Sequence, residues 1–237
     1  MIHTADAAIC PGCDKPVHLC VCEAIRPVDT KLKILLLQHP QEKREVLGTA
    51  VLATRIFPKT TMKIGLSWPG LRRLAGENAD PKRWGVLYLG AAKQGPGPGA
   101  GSKDEVAAVD KNGAPLKDSA MVLADLEGII LLDGTWSQAK TLWWRNAWLL
   151  KCRRIVLNPK VRSLYGQARK EPRRESLSTL ESAALLLARL EDRPEIFDTA
   201  LAPFALLLKK LRAPRPRPAP AVRSEEHTSE LQSPCNL

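Results

Sequence analysis

The sequence lacks three features that would each place it in a different class of protein. No run of about eighteen apolar residues occurs, so no segment is expected to span a membrane. Residues 1–6 have neither the basic region nor the apolar stretch of a secretion signal, and we therefore expect a cytoplasmic protein with reduced thiols. There is also no internal repeat, so no repeat architecture is expected.

Acidic residues are scarce in one long region. The chain has 36 Lys and Arg against 25 Asp and Glu, a formal charge of +11. From Lys140 to Glu175 there are eleven basic residues and two acidic ones, so this window carries +9 of the total. Such clustering is typical of a surface that binds nucleic-acid phosphates, although a solvated basic surface is the alternative. The candidate RNA contacts are Arg153, Arg154, Arg162, Arg169, Lys170, Arg173 and Arg174.

Short apolar runs alternate with amphipathic segments, and 44% hydrophobic residues indicate a folded core. Strands are predicted at 34–37, 63–67, 84–89, 128–132 and 154–157. Helices are predicted at 42–57, 135–150, 178–192 and 195–212, with a surface loop at 90–120. This alternation predicts an α/β fold with a parallel sheet, in which ligands bind at the carboxyl ends of strands.

The composition divides the chain into three parts. Residues 1–30 contain a cysteine cluster and are interpreted as a metal-binding segment, and residues 31–212 as one α/β domain, for which the family resemblance given below implies the catalytic role. Residues 213–237 begin as a Pro/Arg-rich linker and continue without pattern, so we expect a disordered tail of non-native origin.

Four cysteines, Cys10, Cys13, Cys20 and Cys22, lie within thirteen residues. Four thiolates close a tetrahedral zinc site with no open position, which is typical of a structural site. Two disulfides are the alternative, but they are rare in a reducing compartment. His18, within the same loop, is a further possible ligand.

Asp133 is the candidate catalytic residue. It follows the apolar run 128–132 and precedes Gly134, which allows backbone to approach a ligand closely. Thr135 and Gln138 have the spacing of a helix capping box, and the N–H groups of that helix start would attract an anion. A role for Asp133 as a helix-entry cap is the alternative.

Two other helix segments have mainly structural interpretations. Trp136, Trp143, Trp144 and Trp148 crowd one helix, and we expect most of them to be buried, with Trp136 alone a candidate for stacking on a ligand. A second capping box, from Ser178 to Glu181, precedes the next apolar helix.

These motifs together resemble the DTW-domain family, the tRNA-uridine aminocarboxypropyltransferases. The resemblance rests on the cysteine cluster, Gln38-His39-Pro40, Asp133-Gly134-Thr135-Trp136, residues 163–172 and Leu177-Ser178-Thr179-Leu180-Glu181, in that order. It covers about residues 10–210.

The resemblance implies a fold related to the SPOUT methyltransferases, with a trefoil knot that holds S-adenosylmethionine (SAM). It implies transfer of the 3-amino-3-carboxypropyl group of SAM to N3 of a tRNA uridine, with release of methylthioadenosine. It also places Gly134, Thr135, Trp136, His39, Ser178 and Thr179 around SAM, and makes Arg169 a match to the family's arginine-bearing segment.

Other functions remain open from the sequence. A SPOUT-type RNA methyltransferase would use the same co-substrate, and an rRNA aminocarboxypropyltransferase would use the same reaction. A zinc-ribbon RNA-binding protein without catalysis belongs to a different class. No obligate protein partner is evident.

Overall fold

A computed structural model gives the fold of residues 8–43, 45–87, 105–166 and 177–213. At its centre is one sheet of six strands in the order β2-β1-β5-β3-β6-β4. Among the described strands, all neighbours pair in parallel except β4, which lies antiparallel to β6 at one edge. The strands are β1 Lys33–Gln38, β2 Thr60–Ile64, β3 Trp84–Leu87, β4 Val106–Val109, β5 Gly128–Asp133 and β6 Arg153–Leu157. The predicted α/β fold is confirmed, and the sheet predicted to be parallel is parallel except for β4.

The central strands are apolar on both faces because the sheet is covered on both sides. Successive side chains of a strand point to opposite faces. In β1, Ile34 and Leu36 join one core cluster, whereas Leu35 and Leu37 join another. Strands that read as unbroken apolar runs are typical of such doubly covered parallel sheets.

Six α-helices cover the sheet within the described residues. Helices α1, α5 and α6 pack on the face of Ile34 and Leu36, whereas α2 and α4 cover the opposite face. The short α3 packs beside β4. The helices are α1 Ala50–Ile56, α2 Leu71–Ala75, α3 Ser119–Ala124, α4 Trp136–Arg145, α5 Thr179–Leu190 and α6 Glu195–Arg212. Within the described ranges, no helix is both long and apolar enough to cross a bilayer.

The cysteine-bearing segment packs on the main core. Cys13, Leu19 and Val21 are buried in the same cluster as α5 and α6. The Lys210 ammonium of α6 donates to the carbonyl of Cys20 at 2.5 Å and pairs with the Glu23 carboxylate at 3.0 Å. The segment is therefore anchored by both apolar and charged contacts.

The structure corrects the predicted helix at 42–57: among its described residues, α1 is the only α-helical part. A 3₁₀ turn, Pro40–Glu42, comes first, and residues 45–49 form an irregular loop. That loop is favoured because the buried Lys15 ammonium donates to the carbonyls of Glu45 and Gly48. Tertiary hydrogen bonds thus override the local helical pattern.

The predicted loop at 90–120 is also wrong where the chain is described. It contains β4 and the start of α3, while residues 88–104 lie outside the described part. β4 is a four-residue run of Val and Ala, which gives little periodicity, and it is held by its pairing with β6. The strand predicted at 63–67 lies at β2 instead.

The helix predicted to reach residue 150 ends at Arg145. The Asn146 side chain donates to the carbonyl of Leu142 at 2.7 Å and so caps the last turn, and a 3₁₀ turn, Ala147–Lys151, follows. The prediction that the tryptophans of this region are mostly buried is wrong: Trp144 is 76% exposed, and the other three are half-buried. The apolar pattern overestimated burial because α4 has only one covered side.

The last helix, α6, ends at Arg212, and the division of the chain at residues 30 and 212 stays a prediction. Of the segment predicted to be a tail, residues 214–237 lie outside the described residues, so its disorder stays a prediction.

Candidate functional site

Two polar side chains end adjacent central strands at the carboxyl edge of the sheet. Gln38 is the last residue of β1 and Asp133 the last of β5, and the two are direct partners in the parallel register. Both are buried, with Asp133 only 7% exposed. The carboxyl ends of parallel strands are where ligands bind in α/β sheets, so this pair marks the candidate site.

Each carboxylate oxygen of Asp133 accepts a hydrogen bond from a different element. Gln38 Nε2 donates to Oδ2 at 2.8 Å. The Thr179 hydroxyl, in the first turn of α5, donates to Oδ1. Since a carboxylate has about four lone-pair positions, acceptor capacity remains for a substrate N–H. The helix-entry cap considered for Asp133 is not what the structure shows, because Thr135 caps α4 instead.

The start of α4 is the predicted capping box. Gln138 N donates to Thr135 Oγ1 at 3.4 Å, and Thr135 N donates to Gln138 Oε1 at 2.5 Å. Gly134 has a φ of +156°, and a Cβ there would lie 2.9 Å from Gln138 Cβ. A side chain at Gly134 would therefore push the capping turn away from the strand end. Trp136 is half-buried in the first turn.

His39 links the ends of β1 and β5. Its backbone N–H donates to the Asp133 carbonyl at 2.9 Å. Its ring Nδ1 accepts from Gln41 N at 3.3 Å and thereby caps the 3₁₀ turn Pro40–Glu42. Gln41 Oε1 in turn accepts from Gln138 Nε2 at 3.0 Å, so this turn is bonded to the start of α4. The His39 side chain lies beside the site and serves the local turn.

The start of α5 is the second capping box, and its glutamate does more than cap. Ser178 N donates to Glu181 Oε2 at 2.6 Å, and Glu181 N to Ser178 Oγ at 3.2 Å. Glu181 is 1% exposed and also accepts from Ser163 Oγ at 2.9 Å and Leu164 N at 2.6 Å. It therefore joins the segment after β6 to the helix that carries Thr179. Sequence reasoning found the cap but missed this second role.

Two capped helix N-termini consequently meet at Asp133. α4 begins directly after it, and α5 contributes Thr179 to its carboxylate. A helix N-terminus carries partial positive charge, so both helices favour negative charge at this point. The arrangement suits an anionic group of a ligand near Asp133.

The loop at 45–49 is hydrogen-bonded to Lys15 of the cysteine-bearing segment and supports the site. Lys15 is 2% exposed, and its ammonium donates to the carbonyls of Gly48 at 2.5 Å and Glu45 at 3.3 Å. Burial lowers the pKa of Lys15 to about 8, against the opposing effect of nearby negative charges that include Asp133. No sequence pattern singled out this lysine, because its neighbours are distant in the chain.

The same loop also supports α5. Thr49 Oγ1 accepts from Leu180 N at 3.2 Å, and the Tyr165 hydroxyl donates to the Leu47 carbonyl at 2.8 Å. The hydrogen bonds thus run from Lys15 through the loop to the helix start that positions Thr179.

The four clustered cysteines bring their sulfurs together. All four Sγ atoms lie within 4.8 Å of one another, with pairs at 3.5, 3.6 and 3.8 Å. Zn–S bonds of about 2.3 Å in a tetrahedron place the sulfurs about 3.8 Å apart. A disulfide needs about 2.05 Å, so the spacing suits a shared metal ion rather than two disulfides. His18 is not in this cluster of candidate ligands.

The backbone of the cysteine cluster leaves room for the four sulfurs to lie close together. A Cβ at Gly12 would lie 2.7 Å from the sulfur of Cys22. Hydrogen bonds from the N–H groups of Cys13 and Gly12 lower the pKa of the Cys10 thiol to about 6, whereas burial and the neighbouring sulfurs raise the pKa of Cys22 to about 12. Such N–H groups directed at a thiolate favour metal ligation.

The predicted RNA contacts are distributed over both edges of the sheet. Arg153 and Arg154 begin β6 and so lie at the amino edge, opposite Asp133. Arg153 Nε donates to the Lys82 carbonyl at 3.1 Å, and the Arg154 guanidinium lies 5.8 Å from the centre of the Trp143 ring. Arg162 is exposed and follows the carboxyl end of β6. Arg169, Lys170, Arg173 and Arg174 lie outside the described residues.

The chain is similar to a known domain family over most of its length. The family model of the DTW domain matches residues 7–212. Curated relatives named tRNA-uridine aminocarboxypropyltransferase 2 are 29% identical over 206 residues in Macaca fascicularis, 31% over 202 in Mus musculus and 32% over 208 in Drosophila melanogaster. The matches cover 84% of this chain and 61%, 61% and 73% of those relatives, so the chain spans about three fifths of the two mammalian proteins.

No solved structure matches the chain significantly. The match of the family model nevertheless takes in the cysteine cluster, Asp133, both capped helix starts and α6. The chain belongs to the DTW domain family.

Proposed function

We propose that this chain transfers the 3-amino-3-carboxypropyl group of SAM to N3 of a uridine in tRNA. The observation that carries the proposal is the Asp133 site, which lies within a domain shared with relatives named for this reaction. In the reaction, N3 bonds to the methylene carbon attached to the sulfonium, and the carbon–sulfur bond breaks. Methylthioadenosine leaves with the bonding electrons, and the N3 proton is released.

Asp133 is the group that we assign to the N3 proton. Its carboxylate is held by Gln38 and Thr179, so its orientation is fixed before substrate binds. A positioned carboxylate can accept a hydrogen bond from N3–H and aim the nitrogen lone pair at the methylene carbon. Because both of its oxygens are already held by donors of the protein, we assign to Asp133 mainly the orientation of N3–H.

The SAM site is proposed at the same strand ends. The backbone at the start of α4, at Gly134 and Trp136, suits the carboxylate of the amino acid moiety, while the Thr135 N–H is already bonded to Gln138 and Thr135 shapes the turn. The half-buried Trp136 is the candidate to contact the apolar parts of SAM. Thr179, Ser178 and His39 complete the predicted set. Their side chains are already bonded to Asp133, Glu181 and Gln41, so we assign them to holding the site in shape.

A SPOUT-like fold with a trefoil knot remains part of the proposal. Its support is the strand order, in which the late strand β5 lies between β1 and β3, and β6 between β3 and β4. Late strands inserted between early ones are what a threaded connection requires, and knotted folds are otherwise rare.

Zinc is the metal proposed for the cysteine cluster. Four thiolates at tetrahedral spacing leave no open position, so the ion would stabilise the fold and take no part in transfer. Elemental analysis should find about one zinc per chain, and Gly12→Ala should lower that content because its Cβ would meet the Cys22 sulfur. Full retention of zinc and stability in Cys22→Ser would contradict the assignment.

The decisive experiment incubates the purified chain with SAM and unmodified tRNA, followed by mass spectrometry of the nucleosides. The expected product is aminocarboxypropyluridine, formed in equal amount to methylthioadenosine. Methyluridine would instead indicate the methyltransferase, and modification of rRNA alone would indicate the related rRNA reaction. Binding without any product would indicate an RNA-binding protein. Asp133→Asn is the matched control.

A further inference from the structure

One tryptophan of α4, Trp144, is exposed to solvent without a structural reason. In the stretch that contains four, Trp143 lies beneath Arg154, and Trp148 Nε1 donates to Asn146 Oδ1 at 3.2 Å. Trp144 is instead 76% exposed, the highest value among the exposed large apolar side chains of the described residues. An indole is a large apolar surface that normally finds a partner, so such exposure points to a binding surface.

Trp144 lies on the helix that begins at the Asp133 site. The first turn of α4 follows Asp133, and the last turn is bonded to the loop after β2: Ser67 Oγ donates to the Arg145 carbonyl at 3.3 Å. That loop begins at Gly65, whose N–H donates to the Gln38 carbonyl at 3.1 Å. α4 therefore begins beside Asp133 and runs back across the face of the sheet, where Trp143 packs under Arg154. A helix of this length spans only about 15 Å, so Trp144 lies within one helix length of the site.

The surface around Trp144 is positive. Lys140, four residues earlier, lies on the same side of α4, and Arg145 is adjacent; both are exposed. Between residues 134 and 166 there are seven Lys or Arg and no Asp or Glu. A flat aromatic side chain between cations matches an unpaired nucleobase with its flanking phosphates.

We propose that Trp144 stacks on an unpaired base of the tRNA, with Lys140 and Arg145 at the neighbouring phosphates. The inference rests on the proposed function and adds to it the surface along which the RNA reaches Asp133. Stacking is tolerant of base identity, so Trp144 supplies affinity and orientation for the loop that carries the uridine.

The test measures the affinity of fluorescently labelled tRNA for the full chain in the absence of SAM. Trp144→Ala should raise the Kd by about fivefold to a hundredfold, whereas Trp144→Phe should stay within about threefold of wild type. The salt dependence should not change in either variant, because both keep every cationic side chain. Met121→Ala is the control. Met121 is 71% exposed and lies on α3, which packs beside β4, the last strand on one side of the sheet.

Two results would overturn the proposal. A Kd for Trp144→Ala equal to that of wild type removes the stacking role. A wild-type dimer that Trp144→Ala converts to monomer in sedimentation, with tRNA affinity unchanged, assigns the side chain to self-association. Failure of the proposed function is distinguishable, because it would show as tRNA binding with the expected Trp144 dependence but no modified uridine.

Discussion

The Asp133 site and the basic surface of residues 140–162 are built in opposite ways. The site is assembled from three separate parts of the chain, namely β1, β5 with α4, and α5, and hydrogen bonds hold its buried groups. The basic surface is one continuous stretch whose charges are mostly exposed. Buried hydrogen bonds fix positions, whereas exposed charges act at longer range and are screened by salt. We therefore expect the site to control rate and the surface to control affinity.

The largest effect is expected from Asp133→Asn. Removal of a positioned acid–base group typically lowers the rate about a hundredfold to ten-thousandfold. The fold should survive, because the Thr179 hydroxyl and the Gln38 amide can each turn to accept from the new amide. Rapid-quench measurement of transfer, together with a thermal melt, checks both expectations. A variant that loses stability but keeps its rate would return Asp133 to a purely structural role.

A smaller reduction of rate is expected from Thr179→Val, which removes one of the two donors to Asp133. A hydrogen bond to a charged group contributes about 1.5–3 kcal/mol, so transfer should slow by about tenfold to a hundredfold. Thr179→Ser keeps the hydroxyl and should restore most of the rate. The measurement is the ratio of the kcat values of the Thr179→Val and Thr179→Ser variants. Equal values would show that this hydrogen bond does not position Asp133.

Charge reversal on the basic surface should lower the affinity for tRNA and weaken the salt dependence of that affinity. In the variant Arg153→Glu with Arg154→Glu, the slope of log K against log salt should fall by about one for each phosphate that these arginines neutralise in the wild-type complex. Arg162→Glu probes the opposite edge of the sheet, where Asp133 lies. A larger effect of Arg162→Glu would show that the RNA mainly follows the carboxyl edge, and no effect of either would place the RNA elsewhere.

The smallest effect is expected from Ser178→Ala. This change removes the cap of α5 but leaves Thr179 and Asp133 in place. Removal of a serine cap costs about 1 kcal/mol of stability. Chemical denaturation should detect that decrease, while transfer stays close to wild type. A large fall in rate would mean that Ser178 contacts substrate.

The sequence was sufficient for features that depend on neighbouring residues. The strand before Asp133, the capping boxes at Thr135 and Ser178, and the spacing of the four cysteines are all local patterns, and the structure has each of them. Local spacing fixes which backbone groups a side chain can reach, so these predictions hold without knowledge of the fold.

The features that the sequence did not predict depend on contacts between distant segments of the chain. β4 forms because it pairs with β6, and the loop at 45–49 because Lys15 binds its carbonyls. The second role of Glu181 and the exposure of Trp144 are likewise set by tertiary packing. Periodicity and capping rules contain no information on such contacts.

The most direct test of the separation between rate and affinity is single-turnover transfer from labelled SAM at saturating tRNA, with wild type, Asp133→Asn and the Arg153→Glu, Arg154→Glu variant compared in low salt. We expect Asp133→Asn to slow transfer by about a hundredfold or more at unchanged tRNA affinity. The arginine variant should approach the wild-type rate once tRNA is saturating. A rate for Asp133→Asn within a few-fold of wild type would contradict the account.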